Sequence, residues 1–309
     1  FIVGFASTKL SPLKIILLLT TASLEPENNV NKRYVKALRS SVKHIVTFAL
    51  IIGLWEILGQ NGQLNKYILP WPSLIWAQLV DLFFISGIIY YHFYTTLAEA
   101  TIGFFIGITI GISLAVSAAF SPVFRRYIAP YAVIFSVTPG IAVTPMIIAW
   151  FGFGWSSKIA LAALVCFFPP FVNTLTALTR TDEDGSDLFR SMGASKRDYF
   201  WKLQFPNAIP MIVAGLKLAL TGALLGTIVA EFVSATAGVG ILMQRFAFKL
   251  QIDGSFATLL TMSAMGLMLF TIMEILDYRV VFWKRDSRLL SVSRKRAAKW
   301  RRDHGNIPM

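Results

Sequence analysis

The stretch "TTLAEATIGFFIGITIGISLAVSAAF", residues 95–120, carries a single ionisable side chain, Glu99. A helix needs roughly 20 predominantly apolar residues to cross a bilayer. The stretch therefore reads as a transmembrane helix, and it sets the class of the chain around it. Gly103, Gly107 and Gly111 recur every fourth residue and form a ladder on one face. In lipid there is no hydrophobic drive between helices, so a small-residue face gains contact by letting another helix come close. We expect that face to pack within the chain ahead of forming a dimer seam. The run 211–233 repeats the device with Gly215, Ala219, Gly222 and Gly226.

Working outward, further apolar runs of sufficient length lie at 42–59, 128–150, 159–178, 211–233 and 256–282. The 309-residue chain is 55% hydrophobic and 15% charged, whereas soluble domains carry roughly 25% charged residues. Residues 10–20 are too few and include Pro12 and Lys14. Residues 74–91 carry Asp81 and Gly87 and read as an amphipathic helix lying along the interface.

Charge placement orients the six runs, because cytoplasmic loops accumulate Lys and Arg. With both termini inside, the inner segments hold Lys32, Arg33, Lys36, Arg39 and Lys43, then Arg125 and Arg126, then Arg180, Arg190, Lys196, Arg197 and Lys202. The tail adds Lys284, Arg285, Arg288, Arg294, Lys295, Arg296, Lys299, Arg301 and Arg302, and the outer loops keep only Lys66, Lys158, Arg245 and Lys249. Counting either weak run as a span breaks the pattern. The expected fold is an all-α integral membrane protein with six transmembrane helices and both termini cytoplasmic. Residues 1–41 read as a leader and basic cytoplasmic segment, with a boundary in the polar run 25–31. Residues 42–283 form the membrane domain, and 284–309 a basic cytoplasmic tail.

Several functions drop out. The net charge of +13 belongs to the inner loops, and long uncharged runs argue against a nucleic-acid partner; the bilayer is the expected one. One cysteine, Cys166, permits no internal disulfide, and His44, His92 and His304 are scattered without ligand spacing, so no metal site is expected. No nucleophile–base constellation marks an enzyme. "GVG" at 238–240 lacks a third glycine and a preceding strand, and reads as a turn.

The apolar runs are interrupted by Pro130, Pro139–Gly140 and Pro145, and by Pro169–Pro170. Broken helices are tolerated at depth where protein or a water-filled cavity satisfies the freed backbone, a transporter habit. Glu56, Glu99, Lys217, Glu231, Glu274 and Asp277 are the ionisable residues within spans. Such groups tend to face a pathway or a partner. Glu231, just before "SATAGVG", is either a pathway or gate residue or the polar anchor of that glycine loop. Thr138, Thr144, Lys217 and Glu231 are the candidate pathway residues, with Lys217 and Glu274 also suited to snorkelling or pairing.

The most polar interior stretch is "DLFRSMGASKRDYFWKLQFPNAIP", residues 187–210. Thr181 with Asp184 suits a capping box, and the helix it opens would run to about Met192 and stop at Gly193. Ser195, with Asp198 three residues on, would cap a second helix that Pro206 ends. Two short helices joined at a glycine make a protrusion with an apolar edge, which docks on another protein by the helix-in-groove mode; an amphipathic loop resting on headgroups is the alternative.

That stretch resembles the EAA loop of ABC importer permeases: an acidic first position at Asp187, a glycine at Gly193 and a later proline at Pro206. Leu188 and Phe189 stand where the family has alanines, and Phe205 where it has leucine. "YILPWPSLIW" (67–76) looks like the family's entry to its interfacial helix. "VTPGIAVTPMIIAWFGFGWSSKI" (137–159) and "IVAEFVSATAGVGILM" (228–243) resemble the nitrate/sulfonate/taurine-type subgroup. The resemblance spans residues 67–283. It implies a non-catalytic permease subunit in the bacterial inner membrane. Its partners would be a second, identical permease copy, two ATP-binding subunits and an extracytoplasmic solute-binding protein. ATP would be used by the partner subunit, with no cofactor bound here, and this chain has no "GK" dipeptide and hence no P-loop. Coupling to the ATPase would fall, within the loop 180–206, on Asp187, Phe189, Gly193, Ala194 and Pro206.

The competing class is a stand-alone secondary transporter or channel, which usually carries more intramembrane carboxylates and an internal repeat. The subgroup's substrates include nitrate, sulfonates, taurine, pyrimidine precursors and riboflavin. Lys217 is the only lysine or arginine within a span, and Phe246 and Phe248 enrich an outer loop. This favours an uncharged or heteroaromatic solute over an anion.

Overall fold

The computed structural model describes residues 27–180, 183–234 and 236–282, and every described element is helical. The leader to residue 26, Thr181 with its capping box, and the tail from residue 283 lie outside the described residues. The chain divides into two compact units, one up to Asn65 and one from Lys66 onward. In the first, α1 (Glu27–Gln60) carries the basic run and the apolar run on one continuous helix. It closes at Gly62, which takes φ 75° while Gln63 N–H returns to Leu58 O at 3.1 Å.

The second unit opens with α2 (Pro72–Val80), started by Pro72 after the extended Trp71 and prolonged by a π turn over Asp81–Ile85. Gly87 at φ 63° then ends that direction, and α3 (Ile88–Phe120) begins. The expected single interfacial helix over 74–91 is thus two elements, because Gly87 sits in the left-handed region where helices stop.

α4 (Pro122–Val137) and α5 (Gly140–Phe151) meet at 102°. The straight span expected over 128–150 is therefore a bent pair. Only one of its prolines breaks it: Thr138 is extended because it precedes Pro139, whose ring disfavours helical geometry at the residue before it. Pro130 and Pro145 stay inside their helices. α6 (Trp155–Cys166) and α7 (Phe168–Thr179) form one apolar stretch, with Pro169 and Pro170 in the first turn of α7, where a missing N–H costs little. The chain continues through α8 (Glu183–Ser191), α9 (Lys196–Tyr199), α10 (Phe205–Ser234), α11 (Val239–Phe248) and α12 (Ile252–Val280). Five helices are long and apolar enough to cross a membrane, and a sixth if the bent pair counts as one.

The α6–α7 stretch runs between α3 and α10, and both glycine ladders clasp it. A Cβ on Gly107 would meet Cys166 Sγ and stand 2.7 Å from Ala163 O, and one on Gly111 would run into Phe167 O. From the opposite side, a Cβ on Gly226 would lie 3.0 Å from Ala162 Cα and one on Gly215 2.9 Å from Asn173 Cβ. The ladders pack within the chain, as their spacing predicts. Phe104, Ala162, Cys166, Ala219 and Ala223 are the buried centre of this layer.

Candidate functional site

Two polar assemblies occupy opposite ends of α10, a helix of 30 residues and so about 45 Å long. At its N-terminal end is a helical hairpin. α8 closes in a Schellman arrangement: Gly193 takes φ 67°, its N–H donates to Arg190 O at 3.0 Å, and Ala194 N–H donates to Phe189 O at 3.0 Å. Only glycine enters that conformation without a steric cost. Ser195 then caps α9, its Oγ accepting Asp198 N–H at 3.1 Å. Asp198 is in turn 2.6 Å from Lys202 Nζ. The two arms are joined by Ser186 Oγ and Tyr199 Oη at 2.6 Å and by the edge-on rings of Phe189 and Tyr199.

The hairpin is moored to the helical core. Phe200 packs on Phe120 at the end of α3, with centroids 5.1 Å apart, and the Gln204 amide donates to Leu178 O near the end of α7. Leu188, Met192 and Trp201 remain exposed. The expectation that Pro206 ends the second helix is corrected here. Lys196–Ser234 runs as one helix of 39 residues, with a π turn over Phe200–Gln204 immediately before Phe205 and Pro206. A π turn inserts an extra residue and relaxes the hydrogen-bond register where a proline would otherwise leave a carbonyl unpaired and crowded. Asp187 lies on α8, exposed, with Arg190 4.0 Å away, a contact worth little in solvent.

At the other end of α10 the chain turns through Gly238 into α11. Three successive N–H groups at the start of α11 would be orphans, and each is met by a side chain from elsewhere. Gly238 N–H donates to His92 Nδ1 at 3.0 Å, Val239 N–H to Thr96 Oγ1 at 2.8 Å and Gly240 N–H to Glu231 Oε2 at 2.7 Å. Thr96 passes its own proton to Glu231 Oε1 at 2.6 Å. Glu231 is fully buried, and a Cβ on Gly238 or Gly240 would strike its carboxylate. A carboxylate here also complements the positive end of α11.

Lys158 secures the other side of the turn. Its buried ammonium donates to Phe153 O, to Gly154 O at 3.0 Å and to Ser234 O at 2.7 Å, the last capping the C-terminal end of α10. Charge counting assigns Lys158 to an outer loop; the structure puts it in α6, buried. Glu99, one turn beyond Thr96 on α3, is buried and hydrogen-bonds Glu231 through its carboxyl. His92, Thr96 and Glu99 stand at spacings of four and three, one face of one helix, which is the signal that could have grouped them.

The four candidate pathway residues do not converge. Thr138, at the α4–α5 bend, lines a cavity of about 380 Å³ with Ser136, Gly140 and Val165. Thr144 is buried and bonded to Gly140 O at 2.9 Å. Lys217 pairs with Asp277 Oδ2 at 2.6 Å, not with Glu274, and Glu231 holds the turn just described. Among the described residues no cluster of His, Cys, Asp or Glu is placed to hold a metal ion.

A bundle of apolar helices with a protruding helical hairpin at one end and a pinned glycine turn at the other defines a membrane transport component. Residues 107–282 match the family model for the binding-protein-dependent transport system inner membrane component, and the chain belongs to that family. It is an ABC importer permease subunit, a multi-pass protein of the inner membrane. It is 31% identical to the formylaminopyrimidine transport permease protein ThiX of Halalkalibacterium halodurans, over 77% of this chain and 94% of that one. It is 32% identical to the riboflavin transport system permease protein RibX of Chloroflexus aurantiacus, over 77% and 89% respectively. To the putative aliphatic sulfonates transport permease protein SsuC of Bacillus subtilis it is 29% identical, over 79% and 88%. Its fold matches an inward-facing MetNI methionine ABC transporter chain with a TM-score of 0.55 at 17% identity, covering 60% of this chain and 93% of that one.

Proposed function

We propose that two copies of this chain form the pathway of an importer, crossing the membrane six times each with both termini cytoplasmic, and that the hairpin transmits ATP-driven motion from two ATP-binding subunits. The observation that carries this reading is the continuity of the Lys196–Ser234 helix. A hairpin whose second arm is the start of a spanning helix passes a push to the far end of that helix without an intervening joint. In this reading Leu188, Phe189 and Met192 supply the apolar edge that seats in the ATPase groove, and Asp187 its acidic rim. Gly193 and Ala194 fix the angle between the arms, and Pro206 marks where the lever enters the membrane. The bend at Thr138–Pro139 would line the pathway, and Glu231 would hold the far turn as a gate element. An extracytoplasmic binding protein would deliver the solute.

The solute class we favour is a small heteroaromatic compound. Two relatives are named for formylaminopyrimidine and riboflavin, and the described spans hold little free positive charge for an anion: Lys217 is paired and Lys158 is saturated by carbonyls. The test is uptake of radiolabelled formylaminopyrimidine and of riboflavin in cells expressing the chain with its ATPase and binding protein, against an aliphatic sulfonate. Uptake of either ring compound, lost on ATP depletion and not on uncoupling, supports the reading. Uptake of the sulfonate alone overturns the solute assignment. Uptake without an ATPase would return the chain to the stand-alone transporter class.

A further inference from the structure

The glycine turn is held by a cluster in which the hydrogen-bond inventory leaves one proton to be assigned. Glu231 accepts on both oxygens, from Thr96 O–H at 2.6 Å and from Gly240 N–H at 2.7 Å. Glu99 also hydrogen-bonds Glu231, and its Oε2 has no partner among the described residues. Two ionised carboxylates have acceptors only, so a hydrogen bond between them requires that one bring a proton. Glu231 is already the acceptor for two donors. Glu99 has none directed at it, and so it is the donor.

The rest of the cluster agrees in charge. From α6, Lys158 brings one positive charge beside both carboxyls. From α3, His92 accepts Gly238 N–H on Nδ1, so its ring proton sits on Nε2 and the imidazole is neutral. From α11 come only backbone N–H groups and the more distant Arg245, whose guanidinium is bonded to Thr236 O at 2.8 Å. One lysine balances one carboxylate. A second ionised carboxyl, buried in the same place, would leave an uncompensated charge that low-dielectric surroundings penalise heavily.

We propose that Glu99 carries the single proton of the Glu99–Glu231 pair, and that this proton is the lock on the glycine turn. It lets Glu231 stay ionised, balanced by Lys158, while gripping Gly240 and Thr96. Removing the proton sets two carboxylates against each other across the grip and releases the start of α11. The inference deepens the gate role proposed for the turn and rests on that reading for its consequence in transport. The protonation itself is independent of it.

The experiment is infrared spectroscopy of the purified full chain at neutral pH in a maltoside detergent, which has no ester carbonyls to mask the C=O stretch of a protonated carboxyl group. Wild type, Glu99→Gln, Glu231→Gln and Thr96→Val are compared. The expected result is a carboxylic-acid band present in wild type, lost in Glu99→Gln and retained but shifted in Thr96→Val and Glu231→Gln. Glu99→Gln, whose amide still donates to Glu231, should also keep the wild-type thermal midpoint within a few degrees. A band that survives Glu99→Gln and disappears in Glu231→Gln overturns the assignment, as does the absence of any such band in wild type. Thr96→Val keeps the test decisive should Glu231→Gln fail to fold. None of these readouts involves transport, so failure here leaves the importer reading intact; an intact band with unaltered uptake in a turn-breaking Gly238→Ala variant would count against the gate alone.

Discussion

Lys217 Nζ lies 2.6 Å from Asp277 Oδ2 and joins α10 to α12. Both side chains are largely covered, at 22% and 34% exposure, so neither can exchange its partner freely for water. Lys217→Met leaves an unpaired carboxylate at membrane depth and should cost about 2 kcal/mol of stability. Adding Asp277→Asn should recover most of that, because the pair is expensive to break singly and inexpensive to replace as a unit. Alkylation of buried Cys166 during a thermal ramp in detergent reads both midpoints.

The glycine ladders predict a graded series. Gly107→Ala and Gly111→Ala drive a methyl into the backbone of α6–α7, which cannot move without shifting the whole stretch, and should cost about 1–3 kcal/mol each. Gly222→Ala has 3.5 Å to its nearest neighbour and should change stability by less than about 0.5 kcal/mol. The same Cys166 exposure assay ranks them; equal effects at Gly107 and Gly222 would refute the clasp.

At Gly193 a methyl meets open space, since nothing lies within 4 Å of a Cβ there, and the strain is in the backbone alone at φ 67°. Gly193→Asn should therefore couple better than Gly193→Ala, and Gly193→Val worst, the order in which those residues tolerate the left-handed region. Copurification with the ATP-binding subunit and stimulated ATP hydrolysis measure it. The same rank order in both supports the hairpin as the coupling element, whereas indifference of both to Gly193→Val removes it from that role.

Glu231→Ala orphans Gly240 N–H and the Thr96 hydroxyl together, each buried polar group left unpaired costing roughly 1–3 kcal/mol. Gly238→Ala meets the Glu231 carboxylate and a φ of 121°, and should be at least as damaging. Protease accessibility of the segment between α10 and α11 in the intact protein should rise in both variants while the hairpin stays wild type. Increased cleavage at the hairpin as well would mean the two ends of α10 are not structurally separable.

Features that depend on neighbours a few residues apart were legible. The four-residue glycine spacing of α3, the stop at Gly193 and the Ser195–Asp198 cap all follow from helix geometry alone. The proline at 206 misled because its cost depends on hydrogen-bond register, and the π turn at Phe200–Gln204 changes that register. Of the prolines in the α4–α5 region, only Pro139 bends the chain sharply, a choice made by what each helix face packs against.

By itself the sequence determined the membrane class, the apolar helices, the hairpin and its glycine joint, because each rests on hydrophobic length, period or φ preference within one segment. Tertiary structure alone decided the pinned glycine turn. Thr96 and Glu231 are 135 residues apart and Lys158 and Ser234 76 apart, and no local pattern ties a hydroxyl on one helix to an orphan N–H on another. Buried in an apolar bundle, those N–H and C=O groups had no water to turn to. Folding brought polar side chains to them, and turned a lysine that charge counting leaves in a loop into the cap of α10.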